Sequence, residues 1–439
     1  MKKTFFFLVC SVLAYCSYGQ TQPVEQGTTL SDAEKIFGLS KCWSEVKYNF
    51  VYFDRLTFDW DSLYQATIPV VLATANDFEY YRELQRFVAT LQDGHTSVFI
   101  GRVKGTRENL FPTALFTRLI DGKMIVIDVL GYDDELDKQG IKRGLEILKI
   151  NGIDVHEYVA TNIKPFVAAS TKQSMNAIAY SSIALEGKLY GSTRLTFKDA
   201  NNRVFDFKVN NNGHSNPPTI PLFDFSILEN NIGVIKIDNF WQRNFTEQFD
   251  TIYEKILATD ALIIDIRGNN GGNSANSMYI LSHLTDKDFR MSNWSSPRYI
   301  PAFASNGIST EWHIGEPWIG EPVKDKPFYK KPVTVLIDET TFSAAEDFCV
   351  GFRTMNRGLI IGTQSGGSTG NPIMFSLPGG GGIRICTKKD TYPDGTEFVG
   401  VGILPDIEVQ ETVSSFLSNL GVGIDNSNAK RKAIEVLLK

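Results

Sequence analysis

A serine near the C-terminal third of the chain stands where an acyl-transfer nucleophile is often found. The stretch "ETTFSAAEDFCVGF" (339–352) follows an apolar run, "VTVLI" (333–337), and opens an amphipathic helical pattern. A serine at such a strand-to-helix turn is a candidate nucleophile if a base lies within hydrogen-bond reach. Ser343 and Glu346 also form a Ser-x-x-Glu capping box, so helix capping alone is the alternative.

A glycine-rich turn is the second candidate for chemistry. "ALIIDIRGNNGGN" (261–273) is an apolar strand pattern that runs into Gly and Asn residues and then into a helical pattern. Glycines let the backbone approach a ligand closely and direct N–H groups at an anion. The Gly-x-Gly-x-x-Gly spacing of dinucleotide sites is missing. By itself, the stretch is equally typical of a tight turn without a ligand.

Composition limits the classes of function. The chain has 439 residues, 42% hydrophobic and 21% charged, with a net charge of −6. This length suits about two to three domains, and the charge predicts no nucleic-acid partner. After the N-terminal segment only Cys42, Cys349 and Cys386 remain, which permits at most one disulfide. Cys-x-x-Cys and His-Glu-x-x-His spacings are missing, so we expect no metal and no other cofactor.

The N-terminus is typical of an export signal. "MKKTFFFLVCSVLAYCSYGQ" combines two lysines, a short apolar run and the small-residue site Ser-Tyr-Gly. The sequence predicts a signal peptide over residues 1–19, cleaved after Gly19, and a periplasmic or extracellular chain without an integral membrane span. Lipid attachment at Cys16 is the alternative, which the bulky Tyr15 disfavours.

Three segments with different patterns follow. Helical spacing of apolar residues extends over 31–92 and ends in "LQDGHTSVFI" (91–100), a turn followed by a short strand. Strand-like runs separated by turns fill 110–210, and "NNNGHSNPP" (210–218) indicates a linker. From about residue 231, continuous apolar strands alternate with amphipathic helices, which predicts a largely parallel sheet covered on both faces.

Three stretches taken together resemble one family. "DIRGNNGG", "TFSAAEDF" and "GVGILPDIEV" (400–409) occur in the order found in tail-specific or C-terminal processing serine peptidases and their tricorn-core relatives. "KQGIKRGLEILKINGIDV" (138–155) resembles a PDZ segment, with Leu145-Glu146 in place of the usual aspartate. The resemblance covers nearly the whole mature chain.

The resemblance implies an α/β fold with a crotonase-like protease core, an inserted PDZ-like domain and an N-terminal helical cap. The implied domains are a cap over 29–100 that carries the histidine motif, a PDZ-like domain over 110–210 and a serine peptidase core over 219–439. It also implies that Ser343 is the nucleophile, and a serine can begin a helix and react as well.

The base that activates Ser343 separates two branches of this family. Processing peptidases typically use a lysine about twenty-five residues after the serine, but Ser368 occupies that place in "GTQSGGSTGN" (362–371). The sequence contains no lysine between Lys331 and Lys388. The tricorn-like branch resembles a Ser–His–acid arrangement, and His95 in "DGHTSV" matches its histidine motif. Histidine suits proton transfer near neutral pH.

The remaining site residues are less defined. Related sequences often carry an orienting glutamate where this chain has Val399, and strand alternation would place Glu397 on the same face. Glu397 is therefore the predicted acid, with Asp394 or an acid elsewhere as competitors. The predicted oxyanion donors are the N–H groups of Gly271 and Ala344.

We therefore expect an exported serine endopeptidase that hydrolyses polypeptides through an acyl-enzyme. The PDZ-like domain would dock an extended or C-terminal peptide by strand addition. The alternative is a catalytically inactive protein on the same fold that binds peptides or small apolar ligands. A hydrolase of small esters is a further alternative, which the PDZ-like segment disfavours. The sequence does not define the oligomeric state.

Overall fold

The structure is a computed structural model that describes residues 29–101, 103, 105–129, 136, 138–211, 221–307, 311–419 and 427–439. The predicted signal peptide lies outside the described residues, and so does most of the predicted linker.

Helices occur in all three segments of the described chain. The α-helices are α1 Asp32–Asn49, α2 Trp60–Leu72, α3 Asp77–Ala89, α4 Thr106–Asn109, α5 Val155–Asn162, α6 Lys172–Ala179, α7 Phe245–Leu257, α8 Ser274–Ser282, α9 Pro301–Ala304, α10 Ala344–Thr354, α11 Val413–Ser418 and α12 Asn428–Leu437. Single 3₁₀ turns are formed by Phe53–Arg55, Lys164–Phe166 and Ser182–Leu185. No helix of the described ranges has both the length and the apolar character needed to cross a bilayer.

Strands divide into several sheets. They are β1 Ser97–Phe99, β2 Leu115–Ile120, β3 Lys123–Val129, β4 Glu146–Ile150, β5 Ile153–Asp154, β6 Gly191–Lys198, β7 Val204–Asn211, β8 Phe223–Ile227, β9 Ile232–Ile237, β10 Ala261–Asp265, β11 Phe289–Arg290, β12 Asn293–Arg298, β13 Glu311–Ile314, β14 Ile319–Gly320, β15 Val333–Ile337, β16 Gly358–Gly362, β17 Ile373–Ser376, β18 Gly382–Ile385, β19 Lys389–Thr391 and β20 Ile407–Glu408.

The central sheet has the strand order β20-β16-β15-β10-β9-β8, and every pair except β8–β9 is parallel. Strands β10 and β15 are buried along their whole length, as expected for parallel strands covered on both faces. One face packs on α7, α8 and α10, and α12 packs on the other. The predicted mixed α/β architecture is confirmed.

The N-terminal helices share a hydrophobic core with the central sheet. Leu39 of α1 and Leu84 of α3 belong to the same buried cluster as Ile264 of β10 and Phe348 of α10. A capping box begins α1, since Ser31 and Glu34 exchange hydrogen bonds. The sequence pattern did not reveal α2, which contains Pro69 and lacks a clean apolar stripe.

The segment between these two parts forms its own sheet and core. Its strand order is β2-β3-β4-β6-β7, all antiparallel, with β5 paired to β4 through the Asn151-Gly152 turn. A separate cluster that includes Leu115, Ile147 and Phe197 fills its interior. We call this unit, residues 115–211, the inserted sheet domain.

A short antiparallel sheet, β1-β18-β17, brings the histidine motif to the core. Ser97 of β1 pairs with Arg384 of β18. The buried Tyr81 of α3 supports this hairpin, because its hydroxyl donates to the Pro378 carbonyl at 2.6 Å and accepts the Gly381 N–H at 3.0 Å. The pairing fixes the chain that precedes β1 beside the central sheet.

Candidate active site

Ser343 occupies a strained turn between β15 and α10. Its backbone has φ 58° and ψ −122°, a region that residues with a Cβ adopt at a cost of about 1–3 kcal/mol. A sharp strand-to-helix turn of this kind presents a serine hydroxyl above the edge of a sheet. The side chain is half-buried, and its Oγ lies 3.1 Å from His95 Nε2.

The carboxylate of Glu346 holds this turn in place. It accepts the Ser343 N–H at 3.1 Å, the Gly367 N–H at 2.8 Å, the Ser368 N–H at 2.9 Å and the Ser365 hydroxyl at 2.5 Å. The side chain is fully buried. Burial raises the pKa of Glu346 to about 7, against the opposing effect of its donors. Glu346 thus caps the Ser343 N–H, while the Ser343 hydroxyl is directed to His95.

His95 is fixed on three sides. Its Nε2 lies 3.1 Å from Ser343 Oγ, and its Nδ1 lies 2.8 Å from Ser368 Oγ. The ring stacks on Phe342 with a centroid distance of 4.6 Å and an angle of 5°. Arg384 fixes the turn before β1, because it donates to the Gly94 carbonyl at 2.8 Å. The contacts leave the imidazole in one orientation toward Ser343.

The surroundings of His95 favour its neutral form. Burial lowers the pKa of His95 well below its usual value, and the positive charges of Arg384 and Lys388 lower it further. Asp93 lies two residues away and is buried, but it accepts from Thr96 Oγ1 at 2.6 Å and from Ser170. The imidazole is therefore ready to accept a proton.

Glu397, the predicted orienting acid, does not lie beside His95. Its half-exposed carboxylate pairs with Arg55 at 2.8 Å and with Lys389. The prediction assumed a strand, but the chain turns after Glu397, and the Val401 N–H bonds to the Phe398 carbonyl. Strand alternation therefore does not apply, and Ser368 takes the place at Nδ1. The competitor Asp394 accepts the Thr396 N–H within its own turn.

The glycine turn lies against the nucleophile as predicted, but one predicted donor is engaged. A Cβ added to Gly271 would come within 2.6 Å of Ser343 Cβ, and Gly271 has φ 94°. The Gly271 N–H, however, donates to Asn269 Oδ1 at 2.9 Å, so in this conformation it is not directed at a substrate. The Ala344 N–H begins α10, where backbone N–H groups have no acceptor within the helix.

The other histidines with described positions have different surroundings. His156 Nδ1 lies 2.7 Å from the Tyr180 hydroxyl, and His283 Nδ1 lies 2.8 Å from the Tyr279 carbonyl. His313 is exposed on β13. Ser368 and Glu346 are the site residues that sequence reasoning missed as contributors. Ser368 had one signal, its place in the turn where related peptidases carry lysine.

The inserted sheet domain contacts both loops of the site. Ser170 accepts the Gly94 N–H at 2.9 Å, and Thr171 Oγ1 donates to the Gly366 carbonyl at 2.8 Å. Arg118 of β2 reaches Glu339, in the turn before Ser343, at 2.8 Å. Within the described residues, no group of three His, Cys, Asp or Glu side chains is arranged to hold a metal ion.

Comparison with known protein families finds one match for this chain. The model of peptidase family S41 matches residues 231–409. The match covers less than half of the chain. It bears out the predicted resemblance to C-terminal processing peptidases and supports the serine-type peptidase class.

Individual relatives are distant. The carboxy-terminal-processing protease of Bartonella bacilliformis is 24% identical over 208 residues, which is 46% of this chain and 44% of that protein. The carboxy-terminal processing protease CtpB of Bacillus subtilis is 22% identical over 331 residues, 73% of this chain and 60% of that protein. The matches thus span less than two thirds of each relative.

Solved structures share the fold over most of the chain. Mature CPAF in complex with lactacystin has a TM-score of 0.69 at 15% identity, covering 92% of this chain and 98% of that chain. The photosystem II D1 C-terminal processing protease has a TM-score of 0.51 at 17% identity, covering 86% and 93%. At these identities the likeness establishes the fold.

Replacing Glu346 tests the carboxylate that holds the site. Glu346→Ala leaves several buried donors without an acceptor, and each such donor costs about 1–3 kcal/mol. We expect the free energy of unfolding to fall by roughly 3 kcal/mol or more in a urea titration. The matched control is Glu435→Ala, which removes an exposed carboxylate paired with Lys432 and Lys439 and should leave the free energy of unfolding nearly unchanged. Equal small losses in both variants would contradict the anchoring role.

Proposed function

We propose that this protein is an exported serine endopeptidase of the tricorn-like branch, in which His95 rather than a lysine activates Ser343. The observation that carries the proposal is the 3.1 Å contact between Ser343 Oγ and His95 Nε2. A nucleophile and a base within hydrogen-bond reach are the defining geometry of acyl-transfer sites. The sequence separation of 248 residues is no obstacle, since such sites occur in several chain orders.

The contacts support a two-step reaction. His95 Nε2 accepts the proton of Ser343 while Oγ attacks the scissile carbonyl carbon, and the carbonyl electron pair moves onto oxygen. When the C–N bond breaks, the imidazolium gives its proton to the leaving amine, which leaves an acyl-enzyme. Water then repeats the sequence: His95 accepts its proton and returns it to Ser343 as the acid product leaves.

Negative charge on the carbonyl oxygen needs backbone donors. The Ala344 N–H at the start of α10 is available, and a helix N-terminus favours an anion. Gly271 can serve as the second donor only after its N–H leaves Asn269 Oδ1. We infer that substrate binding is accompanied by a small rotation of this peptide group.

Ser368 occupies the place of the lysine that processing peptidases use as a base. The lysines nearest to that place in the sequence bond to other groups. Lys331 donates to the carbonyls of Thr259 and Leu257. Lys388 pairs with Asp390 at 2.9 Å. These contacts support histidine as the base. The 3.1 Å contact between Ser343 and His95 also weighs against the alternative of an inactive binding protein, because the serine and the histidine keep a productive arrangement.

We assign the central sheet with its flanking helices to a crotonase-like core, the helices α1–α3 to an N-terminal cap and the inserted sheet domain to a PDZ-like fold. Among the described strands, β2 lies at the end of this sheet and has a neighbour on one side only, which suits addition of an extended substrate strand. Phe116 on β2 is partly exposed and offers apolar contact. The charged, apolar start of the sequence supports export to the periplasm or beyond.

Single and double replacements of the two reacting residues test the reaction. Ser343→Ala and His95→Ala should each lower kcat by roughly 10⁴ to 10⁶, measured on an unfolded polypeptide substrate. The double variant should lose little more, because residues that act as a unit are not additive. Circular dichroism shows whether the variants remain folded. Near-normal cleavage by folded His95→Ala would overturn the assignment of the base.

The pH dependence of kcat/KM reports the same base. Because the pKa of His95 is lowered, the imidazole stays neutral below pH 6.5, and activity should fall only as pH drops through that lower value. Burial raises the pKa of Glu346 to about 7. A proton on Glu346 Oε1 would donate to Ser365 Oγ, whose own hydrogen would have to turn away, and the two N–H bonds at Oε2 would stay in place. We call the fall in kcat/KM on the acid side of the pH profile the acid limb. An acid limb centred at or above pH 7 would contradict the prediction.

Binding by the inserted sheet domain is tested without cleavage. In a Ser343→Ala background, Phe116→Glu should weaken binding of a fluorescent unstructured polypeptide several-fold, because it replaces an apolar contact on the edge strand β2 with a charge. The control is Val204→Glu, which places the same charge at an exposed position of β7, the opposite edge of that sheet. Equal affinities for both variants would place substrate docking elsewhere.

A further inference from the structure

We propose that Ser368 is the positioning residue of the base: its hydroxyl orients His95 through Nδ1, in the place where a carboxylate would complete a triad, and Glu346 fixes Ser368. This inference rests on the proposed function. It adds a residue to the site and a consequence for how the base works.

The group that contacts His95 Nδ1 is the hydroxyl of Ser368. For His95 Nε2 to accept the Ser343 proton, the neutral ring must carry its hydrogen on Nδ1. That N–H then donates to Ser368 Oγ at 2.8 Å. Ser368 is fully buried, so water does not compete for the bond. The hydroxyl accommodates the tautomer in which His95 can act as a base, and it holds the ring with Nε2 toward Ser343.

The backbone of Ser368 is held from both sides. Its N–H donates to Glu346 Oε2 at 2.9 Å, and its carbonyl accepts the Ser343 N–H at 3.1 Å. The same Glu346 oxygen accepts the Ser343 N–H. One carboxylate oxygen therefore sets the position of the nucleophile and of the residue that orients its base.

The charged groups around His95 supply no direct substitute. Asp93 is occupied by Thr96 and Ser170, and Arg384 bonds to the Gly94 carbonyl and to Ser97. The buried Cys386 thiol lies across the loop, with Sγ 3.5 Å from the Thr369 carbonyl, and burial raises its pKa. Lys388 adds positive charge and is paired with Asp390.

A hydroxyl partner has a chemical consequence. A carboxylate at Nδ1 would stabilise the imidazolium that forms during the reaction, whereas a neutral hydroxyl does so less. His95 should therefore be a weaker base than in a Ser–His–acid triad and should remain active into more acidic solution. In related processing peptidases, this loop position carries the lysine that acts as the base. In this chain it carries Ser368, which orients the histidine base.

Two replacements of Ser368 with opposite expected effects on the pKa of His95 test the inference. Ser368→Ala removes the bond to Nδ1 and should lower kcat about 10- to 100-fold with KM nearly unchanged, because the imidazole is no longer held for attack. The acid limb of kcat/KM should move to lower pH. Ser368→Asp supplies a carboxylate and should move the acid limb to higher pH.

The matched control is Thr334→Val, which removes a buried hydroxyl on β15. Thr334 Oγ1 has no hydrogen-bond partner among the described residues, so this variant should keep the wild-type pH profile. The rate at which a fluorescent phosphonate labels Ser343 gives a second measurement of the same limb, independent of polypeptide docking.

Opposite shifts in the two Ser368 variants, beside an unchanged control, support the inference. Unshifted limbs in folded Ser368 variants overturn it, and so does a loss in Thr334→Val equal to that in Ser368→Ala. If the aspartate variant does not fold, the direction of the shift in Ser368→Ala decides. Failure of the proposed function is distinguishable, because Ser343→Ala and His95→Ala would then retain cleavage.

Discussion

The arrangement of the site depends on a single buried carboxylate. Glu346 receives N–H donors from the nucleophile turn and from the loop that carries Ser368, together with the Ser365 hydroxyl. An ionised group is costly to bury unless donors surround it, and these donors come from two separate segments. The segments must therefore converge for the carboxylate to be satisfied. Satisfying it also places Ser343 beside its base.

The same convergence explains the supporting architecture. The parallel strands β10, β15 and β16 end at one edge of the central sheet, where the glycine turn, the Ser343 turn and the Ser368 loop follow them. The fourth component, His95, comes from outside the sheet and is carried by the pairing of β1 with β18. The inserted sheet domain bonds to the loops from the remaining side through Ser170 and Thr171.

Sequence reasoning succeeded where a residue's surroundings are local. The strand-turn-helix pattern around Ser343, the short strand after His95 and the capping box at Ser31 were all predictable from neighbouring residues. Glu397 failed because strand alternation was assumed where the chain turns. Gly271 was placed correctly, but its N–H bond to Asn269 depends on a side-chain rotamer that no spacing reveals. Ser368 and Glu346 act through contacts between distant segments, and one sequence contains no record of such contacts.

The separation of β1 and β18 along the chain also determines when the site can exist. Ser97 and Arg384 are 287 residues apart, so the strand beside His95 finds its partner only after most of the chain is present. Contacts of such high contact order form late, because a long loop must close first. During synthesis from the N-terminus, His95 therefore lacks its partner Ser343 until the C-terminal third of the chain is present. In this way the topology delays assembly of the proposed site until synthesis and folding are nearly complete.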